Sequence, residues 1–282
     1  MRKLEEITVS DIEKMDYNHI ISLVKETNRP PGGYKTIARV INNTFLNKSS
    51  SVLEIGTSTG VTAIEIAKRI GCKIEAIDIN EDSLEEAAAR ALAENVIDNI
   101  VFRKADAQAL DFDDNTFDLV FCGNVTSLIP DREAARHEYE RVLRQNGFLA
   151  AVPMYYVSAP PEDLLNRVRN AIQTDVDIVD KSYWVDFYNK SGLVLKYKED
   201  YRFDWIPDKT LDEFISFIMS REFLVNMQKQ AFDALYTKYR DCIYLFRDNL
   251  SHMGYSILLY CKEPVNQEPE LFHGSIVSGG LE

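Results

Sequence analysis

The sequence has few cysteines, few histidines and no long apolar run. Its four cysteines lie far apart without a Cys-x-x-Cys pair or a histidine-rich neighbour, so neither a disulfide framework nor a metal site is predicted. No run approaches about 18 apolar residues, which argues against a membrane span. The N-terminal segment MRKLEEITVSDIEKMD carries acids instead of an apolar core, so no signal peptide is predicted. Free thiols then favour a cytoplasmic protein.

Positive charge is also scarce. The chain has 32 Lys and Arg against 45 Asp and Glu, for a net charge of −13. Such a surface repels phosphate backbones, and no local basic patch stands out, so we expect no nucleic-acid partner. The lack of a long apolar run likewise leads us to expect no membrane partner. A small anionic substrate in a local pocket stays compatible with this charge. The 282 residues suffice for one large domain, or one domain with an elaboration.

Helical patterns open the chain, and a strand–helix alternation follows. Apolar residues recur at helical spacing over 11–27 and 34–46, with the turn NRPPGG between them. From residue 52, short apolar runs alternate with single helical patterns, one of them predicted over 132–147. Strands separated by single helices form βαβ units and predict a parallel, doubly wound sheet. A long helical stretch, 208–250, lies between the last two predicted strands.

The segment VLEIGTSTG at 52–60 contains the motif that predicts a ligand site. A strand delivers Glu54 and Gly56 to its carboxyl end, and Gly60 lets a helix begin close to the sheet. Such a turn presents backbone N–H groups and a positive helix end, which suit an anionic or polar cofactor. Ligands of open α/β sheets bind at this edge.

Polar residues end the next predicted strands. Asp78 follows Gly60 by 18 residues and is placed to accept both hydroxyls of a ribose, and Asp106 is placed for an adenine amino group. Asn124 ends the fourth strand. Dinucleotide enzymes favour G-x-G-x-x-G, whereas Ser58 stands here at the second glycine. This pattern weighs against an NAD-linked oxidoreductase without excluding one.

Together, the 52–56 strand, Asp78, Asp106 with Ala107, and the strand FDLVFCGN resemble the class I S-adenosylmethionine-dependent methyltransferases. The resemblance covers about residues 50–153, then weakly the strands near 195 and 257. It implies an α/β fold with a seven-stranded, mostly parallel sheet and an antiparallel last strand. It also implies S-adenosylmethionine as cofactor and S-adenosylhomocysteine as product.

The same resemblance implies roles for single residues. Gly56 and Gly60 would bracket the methionine part of the cofactor, and Glu54 would hold the loop and the cofactor's amino group. Asp78 would bind the ribose, with Ile79 packing on the adenine. The remaining implied cofactor contacts are Thr57, Ser58, Asp106, Ala107 and Asn124. Ser58 departs from the glycine that the family most often has at this position.

The resemblance also assigns the rest of the chain. Residues 1–48 are expected to form cover helices, and 205–253 a helical lid inserted between strands six and seven. The cofactor-binding core is expected to take 49–204 and 254–263, with a tail over 264–282. Two covers suggest an enclosed cleft. Whether the lid closes its own site or that of a partner in a homodimer is left open.

The sequence motifs do not identify the methyl acceptor. The chain lacks the D/N-P-P-Y/F signature of enzymes that methylate amide or base nitrogens. With the acidic charge, this favours a small molecule or a short peptide methylated at N, O or C. A methyltransferase acting on protein or RNA, and a non-catalytic cofactor-binding homologue, stay as alternatives. Candidate bases are His19, His252 and Tyr155, and Arg29 of the NRPPGG turn is a candidate to pair with a carboxylate.

Overall fold

Eight strands form one sheet in the computed structural model, which describes residues 4–27, 29–174 and 177–264. All but the first residue of the predicted tail, 264–282, lies outside the described residues. The strands are β1 (Ser51–Ile55), β2 (Lys73–Asp78), β3 (Ile100–Lys104), β4 (Phe117–Cys122), β5 (Leu143–Ala151), β6 (Met154–Tyr156), β7 (Val194–Arg202) and β8 (Met253–Cys261).

The strand order confirms the predicted sheet. The neighbours β3, β2, β1, β4 and β5 run parallel in that order, and β8 pairs antiparallel with β5. Strand β7 takes the opposite edge of β8, because Leu259 pairs with both Ala150 and Tyr197. The sheet is therefore doubly wound and mostly parallel, and its last strand is antiparallel.

A short strand that the sequence did not predict extends this plan. After Pro153, β6 pairs antiparallel with the first residues of β8, on the same side as β5. Tyr255 accordingly pairs with Met154 on one side and with Tyr201 on the other. The chain that leaves β5 thus continues along β8 for three more residues.

The described part of the chain contains ten α-helices. They are α1 (Val9–Lys14), α2 (Tyr17–Leu23), α3 (Tyr34–Asn43), α4 (Val61–Ile70), α5 (Glu81–Ala93), α6 (Arg132–Val142), α7 (Glu162–Ile172), α8 (Lys181–Asn189), α9 (Asp208–Met219) and α10 (Lys229–Leu250).

Helix ends follow the local chemistry of the sequence. Asp16 caps α2 by accepting the N–H of His19, and Thr8 forms a capping box with Asp11 at α1. Gly71 ends α4 in the left-handed region at φ 75°. The helix predicted over 132–147 is shorter, because the chain enters β5 at Leu143, where it pairs with Phe117.

Side chains alternate between the two faces of the sheet. On one face, Val52 and Ile74 pack in a cluster that includes residues of α3 and α4. On the other face, Leu53 and Val120 pack with residues of α6 and α8, among them the buried Trp184. Two apolar layers of helices thus pack on the two faces of the central strands.

A third apolar cluster lies apart from the sheet. Helices α1 and α2 pack there against α9, α10 and the 3₁₀ turn Glu222–Asn226 that joins them. The first two helices and the insertion between β7 and β8 therefore share one core. No helix in the described ranges is long and apolar enough to cross a membrane.

Candidate functional site

The loop from residue 56 to residue 60 joins β1 to α4 at the carboxyl edge of the sheet. Gly56 and Gly60 have φ values of 69° and 80°, in the region that favours glycine. A Cβ atom at Gly56 would lie 2.7 Å from Cγ2 of Val125, and one at Gly60 would lie 2.8 Å from Cβ of Ala87. Backbone conformation and crowding therefore both require glycine at these two positions.

Glu54 holds this loop from beneath. Its Oε2 accepts the Thr57 hydroxyl at 2.6 Å and the N–H of Ala63, in the first turn of α4, at 3.0 Å. The residue is only 3% exposed, and burial raises the pKa of its carboxyl to about 7, although these hydrogen bonds oppose the shift. A buried carboxyl thus serves as a cap for α4 and ties the loop to the helix.

Asp78 connects the ends of β1 and β2. Its Oδ2 accepts the N–H of Ser58 at 2.8 Å, and its Oδ1 accepts the N–H of Asn80 at 2.9 Å. Ser58 takes φ 47°, so a serine occupies the left-handed conformation that glycine adopts more easily. The neighbouring Ile79 is 71% exposed, which leaves an apolar surface at this edge.

The third and fourth strands add two polar groups. Asp106 is exposed and accepts hydrogen bonds from the N–H and the side-chain amide of Gln108, whereas Ala107 is buried. The Oδ1 of Asn124 accepts the N–H of Met154 at 2.8 Å, which ties the end of β4 to β6. The structure therefore brings the predicted residues of four strands to the same edge of the sheet.

The NRPPGG turn reaches this edge from the N-terminal helices. Pro30 lies beside Gly123, since a Cβ atom at that glycine would be 3.8 Å from Cβ of Pro30. Arg29 is exposed, and its guanidinium lies 4.9 Å from the centre of the Tyr34 ring. Pro30 of the turn thus lies next to the end of β4.

The three candidate bases each have a local partner. His19, in α2, places Nδ1 2.8 Å from Asp16 Oδ1, and Nδ1 of His252 lies 3.0 Å from the Ser158 hydroxyl. Tyr155 is buried in the sheet, where its hydroxyl donates to the carbonyl of Tyr255, and burial raises its pKa. The structure does not assemble these three side chains into one group.

Sequence reasoning missed the segment that follows α2, residues 24–27. The carbonyl of Glu26 accepts the hydroxyl of Thr59, in the loop 56–60, at 3.2 Å. Its carboxyl accepts the Tyr239 hydroxyl of α10 at 2.7 Å. Arg90 of α5 and Arg221, which precedes the 3₁₀ turn, donate to carbonyls of the same segment.

These contacts join the segment after α2 to the loop 56–60, to α5 and to the chain between β7 and β8. The partners of Glu26 and Arg221 lie between 33 and 213 positions away in the chain, so no short motif could have revealed them. Burial raises the pKa of Glu26, with the Tyr239 hydroxyl and the nearby arginines opposing. A carboxyl in a hydrogen-bonded, partly buried setting at the edge of a site is a candidate for function.

Known proteins share this core. A family model described as a methyltransferase domain matches residues 52–147. An uncharacterized protein of Haemophilus influenzae is 32% identical over 183 residues, which are 64% of this chain and 72% of that protein. The 27-O-demethylrifamycin SV methyltransferase of Amycolatopsis mediterranei is 31% identical over 157 residues, 55% of this chain and 58% of the enzyme. The matched part is thus less than two thirds of that enzyme.

A solved structure matches over a wider range. The crystal structure of the MccD protein superposes with a TM-score of 0.70 at 25% identity, and the match covers 84% of this chain and all of that one. The likeness therefore includes elements outside the segment that the family model matches.

Proposed function

Because the chain belongs to the class I S-adenosylmethionine-dependent methyltransferases, we propose that it methylates a small-molecule or short-peptide acceptor in a covered cleft. S-adenosylmethionine supplies a methyl group on a positively charged sulfur when it is bound, and S-adenosylhomocysteine is its product. The acceptor provides a nitrogen, oxygen or carbon nucleophile. Holding both reactants in line then supplies much of the catalysis.

The edge residues fit this cofactor. In the proposal, the loop from Gly56 to Gly60 brackets the methionine part, and Asp78 accepts the ribose hydroxyls. The cradle has little spare room, because Cβ atoms at the two glycines would collide with their neighbours. The exposed apolar surface of Ile79 beside Asp78 suits the face of an adenine ring. Asp106, Ala107 and Asn124 line the remaining rim.

A small acceptor follows from the covers. Helices α1 and α2 share their core with α9 and α10, and the segment after α2 contacts the cofactor-side loop through Thr59. In the proposal these elements roof the cleft and exclude water from the methyl transfer. Arg29, at the mouth, pairs with a carboxylate of cofactor or acceptor. The net charge of −13 gives no support to a nucleic-acid acceptor.

The single observation that carries the proposal is the Asp78 carboxylate, held by the N–H groups of Ser58 and Asn80. These bonds fix it between the glycine loop and the exposed Ile79. Isothermal titration with S-adenosylmethionine, S-adenosylhomocysteine and NAD tests the proposal. We expect saturable binding of the two sulfur nucleotides and no detectable binding of NAD. Binding of NAD alone would overturn it.

Asp78→Asn tests the assignment at one residue. It removes the charge and keeps the shape, so we expect the dissociation constant for S-adenosylhomocysteine to rise about 10- to 100-fold, or roughly 1–3 kcal/mol. The matched control is Asp98→Asn, which changes an exposed acid at the other end of the neighbouring strand β3. Equal affinities in the two variants would remove Asp78 from the cofactor site.

A further inference from the structure

Glu26 presents one free carboxyl oxygen beside the cofactor-side loop. Its Oε2 accepts the Tyr239 hydroxyl at 2.7 Å, and its main-chain carbonyl accepts the Thr59 hydroxyl at 3.2 Å. Among the described residues Oε1 has no hydrogen-bond partner. The Glu26 side chain is partly buried, and Oε1 is its carboxyl oxygen that no described residue binds.

Tyr17 offers a second polar group in the same part of the molecule. Burial and, next in size, the negative charge of Glu26 raise the pKa of its hydroxyl. Within the described ranges the Tyr17 hydroxyl has no hydrogen-bond partner. Its ring packs 4.4 Å from that of Phe246, so an apolar wall stands beside these polar groups.

The surrounding cations are mostly engaged elsewhere. Arg221 donates to the carbonyls of Val24 and Lys25, and Arg90 donates to Glu86 and to the carbonyls of Lys25 and Glu26. Neither arginine forms an ion pair with the Glu26 carboxylate in the described part of the chain. Their charges lower the pKa of Glu26, as does Arg29, while burial raises it. The Tyr239 hydroxyl thus orients the carboxylate through Oε2, and neither arginine pairs with Oε1.

We propose that Glu26 is the acceptor-facing base, and that the acceptor presents an N–H or O–H nucleophile carried on an apolar body. This inference rests on the proposed function and specifies its acceptor. Tyr239 holds the carboxylate in place through Oε2, Oε1 faces the acceptor, and the Tyr17 hydroxyl hydrogen-bonds the same nucleophile. The apolar wall of Tyr17 and Phe246 contacts the acceptor's body.

The proton and electron balance is complete without another reactant. The acceptor's lone pair forms a bond to the methyl carbon, and the carbon–sulfur bond breaks with its electron pair going to sulfur. The positively charged sulfur thereby becomes a neutral thioether. The proton of the acceptor's N–H or O–H goes to Oε1 of Glu26, and water removes it after the product leaves. A carboxyl whose pKa is raised toward neutrality accepts such a proton more readily.

The test uses the full chain saturated with S-adenosylhomocysteine and three probes of one shape: benzylamine, benzyl alcohol and benzoate. Ligand-observed NMR measures the binding of each probe. The variants are Glu26→Gln and, as a change that leaves the carboxylate in place, Tyr239→Phe. Glu13→Gln is the control, since it changes an exposed carboxylate of the same cover. Calorimetry on every variant measures the affinity for S-adenosylhomocysteine.

We expect the wild type to bind benzylamine or benzyl alcohol more tightly than benzoate. Glu26→Gln is expected to weaken that binding at least about fivefold, and Tyr239→Phe to weaken it less. Glu13→Gln leaves it unchanged, and the nucleotide affinity stays within about twofold in all variants. Which donor probe binds identifies the acceptor as an amine or a hydroxyl compound.

Several results would overturn the inference. They are no binding of either donor probe, equal or tighter binding of benzoate, or binding that Glu26→Gln does not change. A loss of nucleotide affinity in Glu26→Gln would assign the carboxylate to the cofactor instead. Failure of the wild type to bind S-adenosylhomocysteine would defeat the proposed function itself, whereas the other outcomes leave that function standing.

Discussion

The cofactor edge and the cover differ in how their contacts are distributed along the chain. At the edge, Glu54 binds groups three and nine positions away, and Asp78 binds one twenty positions away. In the cover, Arg221 donates to carbonyls 196 and 197 positions away, and Tyr239 reaches one residue 213 positions away. The first region is a local motif, whereas the second exists only after the chain has folded.

This difference separates what a motif can encode from what packing must supply. A glycine loop between a strand and a helix repeats the same backbone geometry wherever it occurs, so its residues identify a cofactor. A core assembled from two distant segments, such as that of α1 and α2 with α9 and α10, has no such signature. In our proposal the residues of this cover determine which acceptors enter the cleft. The following experiments perturb one region at a time.

The largest expected effect is the pH dependence of stability at Glu54. Its pKa is about 7 in the folded protein and near 4.5 when exposed, so the folded state binds more protons between these values. The free energy of unfolding should therefore fall as pH rises through this window, by about 3 kcal/mol. Urea unfolding from pH 4.5 to 8 measures this loss.

Glu54→Gln is the reference for that measurement, because its side chain does not titrate. Its stability curve should lack the decline that the wild type shows, while all other titrating groups stay the same. Parallel curves for the two proteins, or a wild type that gains stability relative to the variant as pH rises, would contradict the raised pKa.

Arg221→Met perturbs the cover alone. Removing the guanidinium takes a donor from the carbonyls of Val24 and Lys25, and we expect unfolding to cost about 1–2 kcal/mol less. Arg240→Met removes an exposed arginine of α10 whose ion pair with Asp212 spans 3.8 Å, and it should cost under about 0.5 kcal/mol. Equal losses would show that the segment after α2 does not depend on Arg221.

The same variant tests whether the sheet edge depends on the cover. If the edge is a self-sufficient motif, Arg221→Met leaves the affinity for S-adenosylhomocysteine within about twofold of the wild type. A larger change would mean that the contact between Glu26 and Thr59 transmits the position of the cover to the loop.

The smallest expected effect is at Ser58. Ser58→Gly removes the cost of a side chain at φ 47°, whereas Ser58→Ala keeps that cost, and both lack the hydroxyl. We expect the glycine variant to be more stable than the alanine variant by about 1 kcal/mol in urea unfolding. An alanine variant of equal or greater stability would show that the loop does not store this strain.

Much of the fold was predictable from local pattern. The alternation of short apolar runs with helices predicted the parallel sheet, and Gly71 marked the end of α4. The helix predicted over 132–147 was too long. The prediction included residues 143–147 because most of them are tolerated in helices, but β5 begins at Leu143. Pairing of Leu143 with Phe117 overrides that weak preference. Strand β6 escaped prediction, since three residues carry no readable period.

The sequence alone indicated the class of cofactor, and it predicted the residues that we propose to bind it. Gly56, Gly60 and Asp78 occupy positions that follow from one strand, one turn and one helix, so their spacing suffices. Which distant residues lie next to this loop depends on the tertiary structure. The placement of Glu26 against Tyr239 and Thr59 depends on the packing of α2 against α10, and apolar packing has no fixed spacing along the chain.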